Sequence, residues 1–307
     1  MIHTVTVNPA LDLTYRVAKV HFDDTVRARQ VLRAAGGKGV NVSRVATRLG
    51  HPTVAMGFAG GRVGDEILDL LRSEGVKTWF ARHDEPTRTN AIVQDDHGNQ
   101  LRVSGPGPTV RVEEVEALVD SIFELRAPAF LVLSGSLLPG VPADLYPRVA
   151  RRAAADGVPV AVDSDAELAG VLAEGVALIK PNGYELGRLV GREVNDLPSA
   201  WTAAEEARDL GAATVVCSLG PLGALWVSGA GAWHATPPSV QVDSPLGSGD
   251  SLLAGVLAAM AEGADAPEAL RRGVAAGTAT AMTPGTDLCR PSDVHAIASR
   301  VEVRRLA

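Results

Sequence analysis

What most restricts the fold of this chain is a rhythm in its second half, where short apolar runs are separated by stretches of helical character. Residues 129–133 (AFLVL), 158–162 (VPVAV), 176–179 (VALI) and 214–218 (TVVCS) have the length of strands, and strand-like ALWV follows at 224–227. A strand that is apolar at nearly every position, rather than at alternate ones, is covered on both faces. Such runs alternating with helical patterns predict a parallel sheet between helical layers. Helix-forming sequence follows the first run through Ala155 and recurs around 199–211, and the C-terminal third reads as helical at 249–262, 266–282 and 292–300. The prediction is a three-layer α/β sandwich of the doubly wound type, with its site in the loops at the carboxyl ends of the strands. A chain of 307 residues, 46 % of them hydrophobic, is long enough to bury such a core.

The first hundred residues follow another pattern. Residues 12–18, 27–33, 88–94 and 100–104 read as short strands of mixed polarity, with DDHGN at 95–99 as a hairpin connection. Strands of this kind often form a small sheet of their own. They are expected to make a lid over the carboxyl edge of the main sheet, within one domain spanning 1–307; extra edge strands of a single sheet are the alternative.

The chemistry concentrates in DSPLGSGDSLLAGV at 243–256. Gly247 and Gly249 free the backbone, Asp250 follows at once, and an apolar helix pattern begins beside it. A helix start leaves its first amides unpaired, and the aligned peptide dipoles place roughly half a positive charge there. That is a ready anion site. An acid beside it points to phosphoryl transfer to a hydroxyl, with Asp250 as the base. An ordinary helix start, with Asp as the capping residue, fits the same segment. A second glycine cluster, AAGGKGVNVSRVATRLG at 34–50, also runs into a helix, over 40–49. It lacks the spacer and the Ser/Thr of a Walker A loop. A Gly-Gly-Lys-Gly turn can still hold a phosphate or a sugar with backbone amides and one ammonium.

Charge narrows the partners. The formal net charge is −7 and the basic residues are dispersed, which argues against nucleic acid or a membrane surface as partner. Cys217 and Cys289 are too few for a disulfide framework or a four-cysteine metal site, so a reducing, cytoplasmic setting is expected. The N-terminal segment MIHTVTVNPALDL lacks the basic start and apolar run of a signal peptide, and no run of about 18 apolar residues occurs.

Seven segments taken in order carry a resemblance. TVTVNPALDLTYRV (4–17), AGGKGVNVSRV (35–45), TRTN (87–90), SGSLLPGV (134–141), KPNGYEL (180–186), SLGPLGAL (218–225) and GSGD (247–250) resemble the ribokinase-like PfkB sugar kinases over essentially the whole chain. The similarity is to the branch holding 1-phosphofructokinases and tagatose-6-phosphate kinases. It implies a ribokinase-like fold, ATP and Mg2+ as cofactors, and a phosphorylated ketohexose as substrate.

Residue by residue, the resemblance implies that Gly247, Ser248 and Gly249 form the anion hole and that Asp250 takes the proton from the sugar hydroxyl. Asp12 and Asn41 would bind sugar hydroxyls, with Gly37, Gly39 and Ser136 beside them, while Lys38 and Arg88 would grip the phosphate already on the substrate. Lys180, Asn182 and Glu185 would organise magnesium and phosphate, through water for the last two; as plain sequence, Asn182 and Glu185 also read as a capping pair. Ser218, Gly220 and Gly223 match the nucleotide loop, and Gly277 either gives the adenine room or packs helices. Ser244, Thr283 and Gly285 would offer oxygens to a monovalent cation such as K+. By analogy with several relatives, a homodimer paired through the lid is expected.

The choice of sugar rests on conflicting cues. Lysine in GGKG resembles the fructose 1-phosphate and tagatose 6-phosphate groups, and GSGD with DLTYRV leans toward the latter. Arg102 in QLRVSGPG, together with SLGPLGAL, leans toward the minor 6-phosphofructokinases. Fructose 1-phosphate, converted to fructose 1,6-bisphosphate, is the reading taken. A sugar-phosphate-binding regulator without catalysis is the competing class, but such a protein would be expected to lose the base or the anion-hole glycines, and both are kept.

Overall fold

The computed structural model describes residues 1–22, 24–164 and 168–307. The chain opens with β1 (Ile2–Thr6), β2 (Ala10–Val17), β3 (Gln30–Gly36), α1 (Lys38–Arg48), β4 (Thr53–Gly60), α2 (Gly61–Ser73), β5 (Lys77–His83), β6 (Arg88–Asp95) and β7 (Gln100–Ser104). It continues through α3 (Val112–Glu124), β8 (Phe130–Ser134), α4 (Leu145–Ala155), β9 (Val160–Asp163), α5 (Leu168–Leu172), β10 (Leu178–Ile179), α6 (Gly183–Val190), α7 (Leu197–Asp209) and β11 (Thr214–Ser218). The last elements are β12 (Ala224–Ser228), β13 (Gly231–Thr236), α8 (Ser248–Ala261), α9 (Ala266–Ala281), α10 (Pro291–Ala298) and β14 (Glu302–Arg305).

The large sheet has the order β14-β13-β12-β11-β10-β9-β8-β1-β4-β5, and β3-β2-β6-β7 form a second, small sheet. From β11 to β5 every pairing in the large sheet is parallel. Side chains alternate between the two covered faces, as the pleat requires. Leu131 and Leu133 of β8 join the core beneath α3, α4 and α7, whereas Phe130 and Val132 join the core beneath α1, α8 and α9. The predicted sandwich and small sheet are both present, and the 95–99 connection joins the antiparallel pair β6 and β7.

Two features depart from the expected plan. The 224–227 run lies antiparallel to β11, and with β13 and β14 it closes the sheet as an antiparallel edge. Only five residues separate β11 from β12, too few for the crossover that a parallel pair needs. The first hundred residues also supply three strands of the large sheet, β1, β4 and β5. Polar residues mask β1 as a core strand: Thr4 and Thr6 are buried, and the Thr4 hydroxyl meets Ser43 Oγ on α1 at 2.8 Å.

Register then fixes the working edge. Thr6 pairs with Ser134, and Ser134 with Asp163, so the carboxyl ends of β1, β8 and β9 lie side by side. Lys180 follows β10 directly and Ser218 ends β11. Residues far apart in sequence therefore share one rim, as expected for an open α/β sheet.

Candidate active site

At the centre of the rim stands the start of α8. Gly247 caps it at φ 77°, where a Cβ would come within 2.7 Å of Leu288 Cδ2, and no side chain caps the helix. The Ser248 amide reaches Pro245 O at 3.3 Å, and the first full-turn bond is Ser251 N–H to Gly247 O at 2.9 Å. The amides of Gly249 and Asp250 precede that bond and keep the positive end of the helix dipole available. The Ser248 hydroxyl is buried there without a partner. These features fit an incoming phosphoryl group.

Asp250 lies in that first turn, 9 % exposed. Asn41 of α1 donates from Nδ2 to its Oδ2 at 2.8 Å. Burial, and next the charge of Asp163, push the carboxyl up to about 7, against the pull of Asn41, Lys180 and Lys38. A carboxylate held this high is a competent proton acceptor near neutral pH.

Asp163 ends β9 and is 2 % exposed. Lys38 donates to its Oδ1 at 3.1 Å, and Lys180 Nζ stands 3.3 Å from Oδ2 as an ion pair without hydrogen-bond geometry. Burial works to discharge Lys180, but Asp163, Glu185 and Asp250 outweigh it and the net shift is upward, so its ammonium stays charged. A Cβ on Gly249 would stand 3.2 Å from Lys180 Nζ, which sets this cation against the helix start. Asn182 and Glu185 make the reciprocal capping pair of α6, each backbone N–H bonded to the other's side chain at 2.8 Å. Glu185 Oε1 stays within 3.6 Å of Lys38 Nζ, so capping does not withdraw it from the cleft. Lys38 thus turns toward Asp163 and Glu185.

The opposite wall comes from the small sheet. Asp12 of β2 is buried and accepts from Asn90 Nδ2 at 2.7 Å. Burial raises its carboxyl, and the Asn90 bond, then Arg102, Arg44 and Arg88, restrain the rise. A Cβ on Gly36 would overlap Asp12, at 2.2 Å from Oδ2. Gly37 caps α1 at φ 118°, and Gly39 packs on β1, where a Cβ would meet Thr6 Oγ1 at 2.6 Å. Asp12, Lys38, Asn41, Arg102, Glu185 and Asp250 line one cleft of about 420 Å³.

Other expected residues stand behind or beside that cleft. Arg88 donates to Gly105 O at 2.7 Å and Asn8 O at 3.1 Å, while Asn8 Nδ2 reaches Ser136 Oγ at 3.3 Å, so Arg88 and Ser136 are tied together through Asn8. Ser218 lines the cleft; Gly220 and Gly223 turn the following loop at φ 58° and 90°. Gly277 packs α9 on α8, where a Cβ would stand 2.9 Å from Ser248 O. Ser244 donates to Gly285 O at 2.7 Å, whereas the single hydroxyl proton of Thr283 lies between Thr280 O and Asp287 O, each at 2.8 Å. Among the described residues no three His, Cys, Asp or Glu side chains converge as a metal cage, and no helix is long and apolar enough to cross a membrane. Sequence reasoning missed Asp163 and Asn90. The signal for Asp163 was an acid ending the apolar run VAV, and Asn90 stood unexamined inside TRTN.

A buried carboxylate at an uncapped helix start, with cations and acids along the strand ends, suits phosphoryl transfer to a hydroxyl, the chemistry of a phosphotransferase with an alcohol as acceptor. The chain belongs to the pfkB family carbohydrate kinases, whose family model matches residues 5–293. It is 35 % identical over 300 residues to the ATP-dependent 6-phosphofructokinase isozyme 2 of Escherichia coli (strain K12), covering 96 % of this chain and 97 % of the relative. It is 31 % identical to the 1-phosphofructokinase of Bacillus subtilis (strain 168) over 307 residues, the full length of both. The solved phosphofructokinase-2 from Escherichia coli in complex with potassium matches at a TM-score of 0.92 and 34 % identity, over 97 % of this chain and 98 % of that one.

Proposed function

We propose that this enzyme uses ATP to phosphorylate a fructose phosphate, with fructose 1-phosphate as the preferred acceptor and fructose 1,6-bisphosphate as the product. The observation that carries the reading is the buried Asp250 carboxylate, held by Asn41 at the uncapped start of α8 in the same cleft as Asp12. In this reading Asp12 orients the sugar, whose free C6 hydroxyl oxygen attacks the γ-phosphorus of ATP. The bond from that phosphorus to ADP breaks as the hydroxyl proton passes to Asp250. The Gly249 and Asp250 amides, with Lys38 and Lys180, offset charge on the transferring group; one such donor is worth about 3 kcal/mol by analogy with oxyanion holes.

Magnesium bound with the nucleotide would neutralise phosphate charge. Asn182 and Glu185, which line the cleft and carry hard oxygen donors, are assigned to hold it through water. Ser244, Thr283 and Gly285 are assigned to a monovalent cation beside the helix start, and the Escherichia coli relative solved with potassium supports that assignment. The small sheet serves as the lid of a single kinase domain, and its exposed Val31, Leu101 and Val103 would pair with a second copy.

Lys38, bonded to Asp163, is read as serving the transferred phosphoryl, which leaves Arg102 of the cleft lining, with Arg88 beside the cleft, for the substrate's own phosphate. Arg102 and the 35 % identity to a 6-phosphofructokinase favour a second reading, in which fructose 6-phosphate is the acceptor. ADP release measured with fructose 1-phosphate, fructose 6-phosphate, tagatose 6-phosphate and ribose tests both. The highest kcat/KM is expected on fructose 1-phosphate. A preference for fructose 6-phosphate selects the second reading, and best activity on ribose, or none on any, overturns the proposal.

A further inference from the structure

Asn41, Arg44 and Arg48 recur at i, i+3 and i+7 on α1 and therefore share one face of the helix. Only Asn41 touches Asp250. Arg44 is 3 % exposed and does not itself line the cleft, and Asn41 is the cleft residue to which it hydrogen-bonds. One Nη1 donates to Ala35 O at 2.9 Å and to Asn41 Oδ1 at 3.4 Å. Nε and Nη2 both meet Glu74 Oε1, at 2.9 and 2.8 Å. Glu74 caps the C-terminus of α2, and its other oxygen holds Arg48 at 3.0 Å. Arg48 in turn donates to Leu288 O at 2.6 Å, and Leu288 packs on Gly247, the cap of α8.

The two ends of a primary amide have nearly the same size, so packing alone sets its flip poorly. Reversed, Asn41 would turn a carbonyl oxygen toward the Asp250 carboxylate, two acceptors face to face. A guanidinium on the Oδ1 side and a carboxylate on the Nδ2 side favour the same orientation. We infer that Arg44, anchored by Glu74, is a positioning residue for the catalytic base: it locks the Asn41 amide so that its N–H, and not its carbonyl, faces Asp250. This rests on the assignment of Asp250 as base.

The charged groups facing Asp250 are Asp163 of β9, Lys180 after β10 and Lys38 of α1, and none of them is bonded to Arg44. Loss of Arg44 therefore acts on Asp250 through Asn41; its charge also restrains the rise of the Asp12 carboxyl, an effect that does not pass through Asn41 and would add to the Asn41→Ala shift in the double variant. The Asn41 bond stabilises the ionised carboxylate, so loosening it raises the pH at which Asp250 ionises.

The test is the pH profile of kcat/KM for Arg44→Met, Asn41→Ala, the double variant and Asp250→Asn. Titrations of the substrates are common to all and cancel in the comparison. Arg44→Met is expected to move the acid limb upward by about half a pH unit, about a threefold loss on that limb, in a protein that still binds ATP. Asn41→Ala moves it the same way, and the double variant moves it by less than the two shifts summed. An unmoved limb in folded Arg44→Met, or shifts that add in full, overturns the inference. If Arg44→Met does not fold, Glu74→Gln carries the same expectations and the same refutations. Near-normal turnover by Asp250→Asn would remove the base assignment itself, whereas its inactivity together with an unmoved limb defeats the positioning role alone.

Discussion

Replacing Asp250 with asparagine should stabilise the protein while abolishing its activity. The carboxyl is raised from its ordinary 3.8 to about 7, first by burial and then by Asp163. That rise corresponds to about 4 kcal/mol of greater proton affinity in the folded state than in the unfolded one. Between roughly pH 4 and pH 7 the folded chain holds a proton that the unfolded chain has released, so this residue's contribution to stability falls as pH rises through that window. Above about 7 the full cost is present. Asparagine keeps the shape and an oxygen to accept from Asn41, and it carries no charge to bury. Lys180 loses one of the anions that hold it charged, so the net gain at pH 8 is expected nearer 1–3 kcal/mol than the ceiling. For a chain of this length that is about 2–5 °C in Tm. Thermal unfolding without nucleotide, at pH 5 and pH 8, reads the difference. The variant's lead in melting temperature should be less than half as large at pH 5 as at pH 8, and its turnover should be down by roughly 10²–10⁴. A gap that does not open with pH would refute the raised carboxyl, and near-normal turnover would refute its role.

Asp163→Asn removes the like charge that helps to raise Asp250, so the acid limb of kcat/KM should move to lower pH, by about half to one unit, with weaker ATP binding as Lys38 and Lys180 lose their shared partner. A limb moving upward in the pH profile would contradict the like-charge account. Gly223→Ala forces a side chain into φ 90° with its Cβ 1.9 Å from Ala235 O, and should cost about 2–4 kcal/mol by denaturant unfolding, with KM for ATP raised more than KM for sugar. Unchanged stability would show that the loop can relax and that the glycine is there for another reason.

The layered fold was legible because burial on both faces leaves a direct trace, an apolar run of strand length bounded by helices. Where that trace was broken, the reading failed. β1 carries His3, Thr4 and Thr6 into the core, and β4 contains Gly57, whose missing side chain lets Thr6 O approach: a Cβ there would lie 2.1 Å from it. Polarity that is satisfied by a neighbour, and glycine that serves a close approach, both look like loop until the neighbour is known. The antiparallel edge failed differently, since connection length and not composition decides whether two apolar runs pair parallel or antiparallel.

The site divides along the same line. Motifs whose residues sit together in one loop, GSGD, GGKG and KPNGYEL, stand out because their spacing is local and their backbone geometry demands particular residues. Asp163 was not, because nothing beside it in sequence explains a carboxylate at the end of a buried strand. Its meaning lies in Lys38, 125 residues earlier, in Lys180 after the next strand, and in Asp250, whose proton affinity it helps to raise. Lys38 carries the same lesson. A lysine among glycines suggests an anion, but where its ammonium rests depends on the acids across the cleft, and Asp163 at 3.1 Å and Glu185 at 3.6 Å hold it on their side. Local sequence named the chemistry, and the register of β8 against β9 decided which charge meets which.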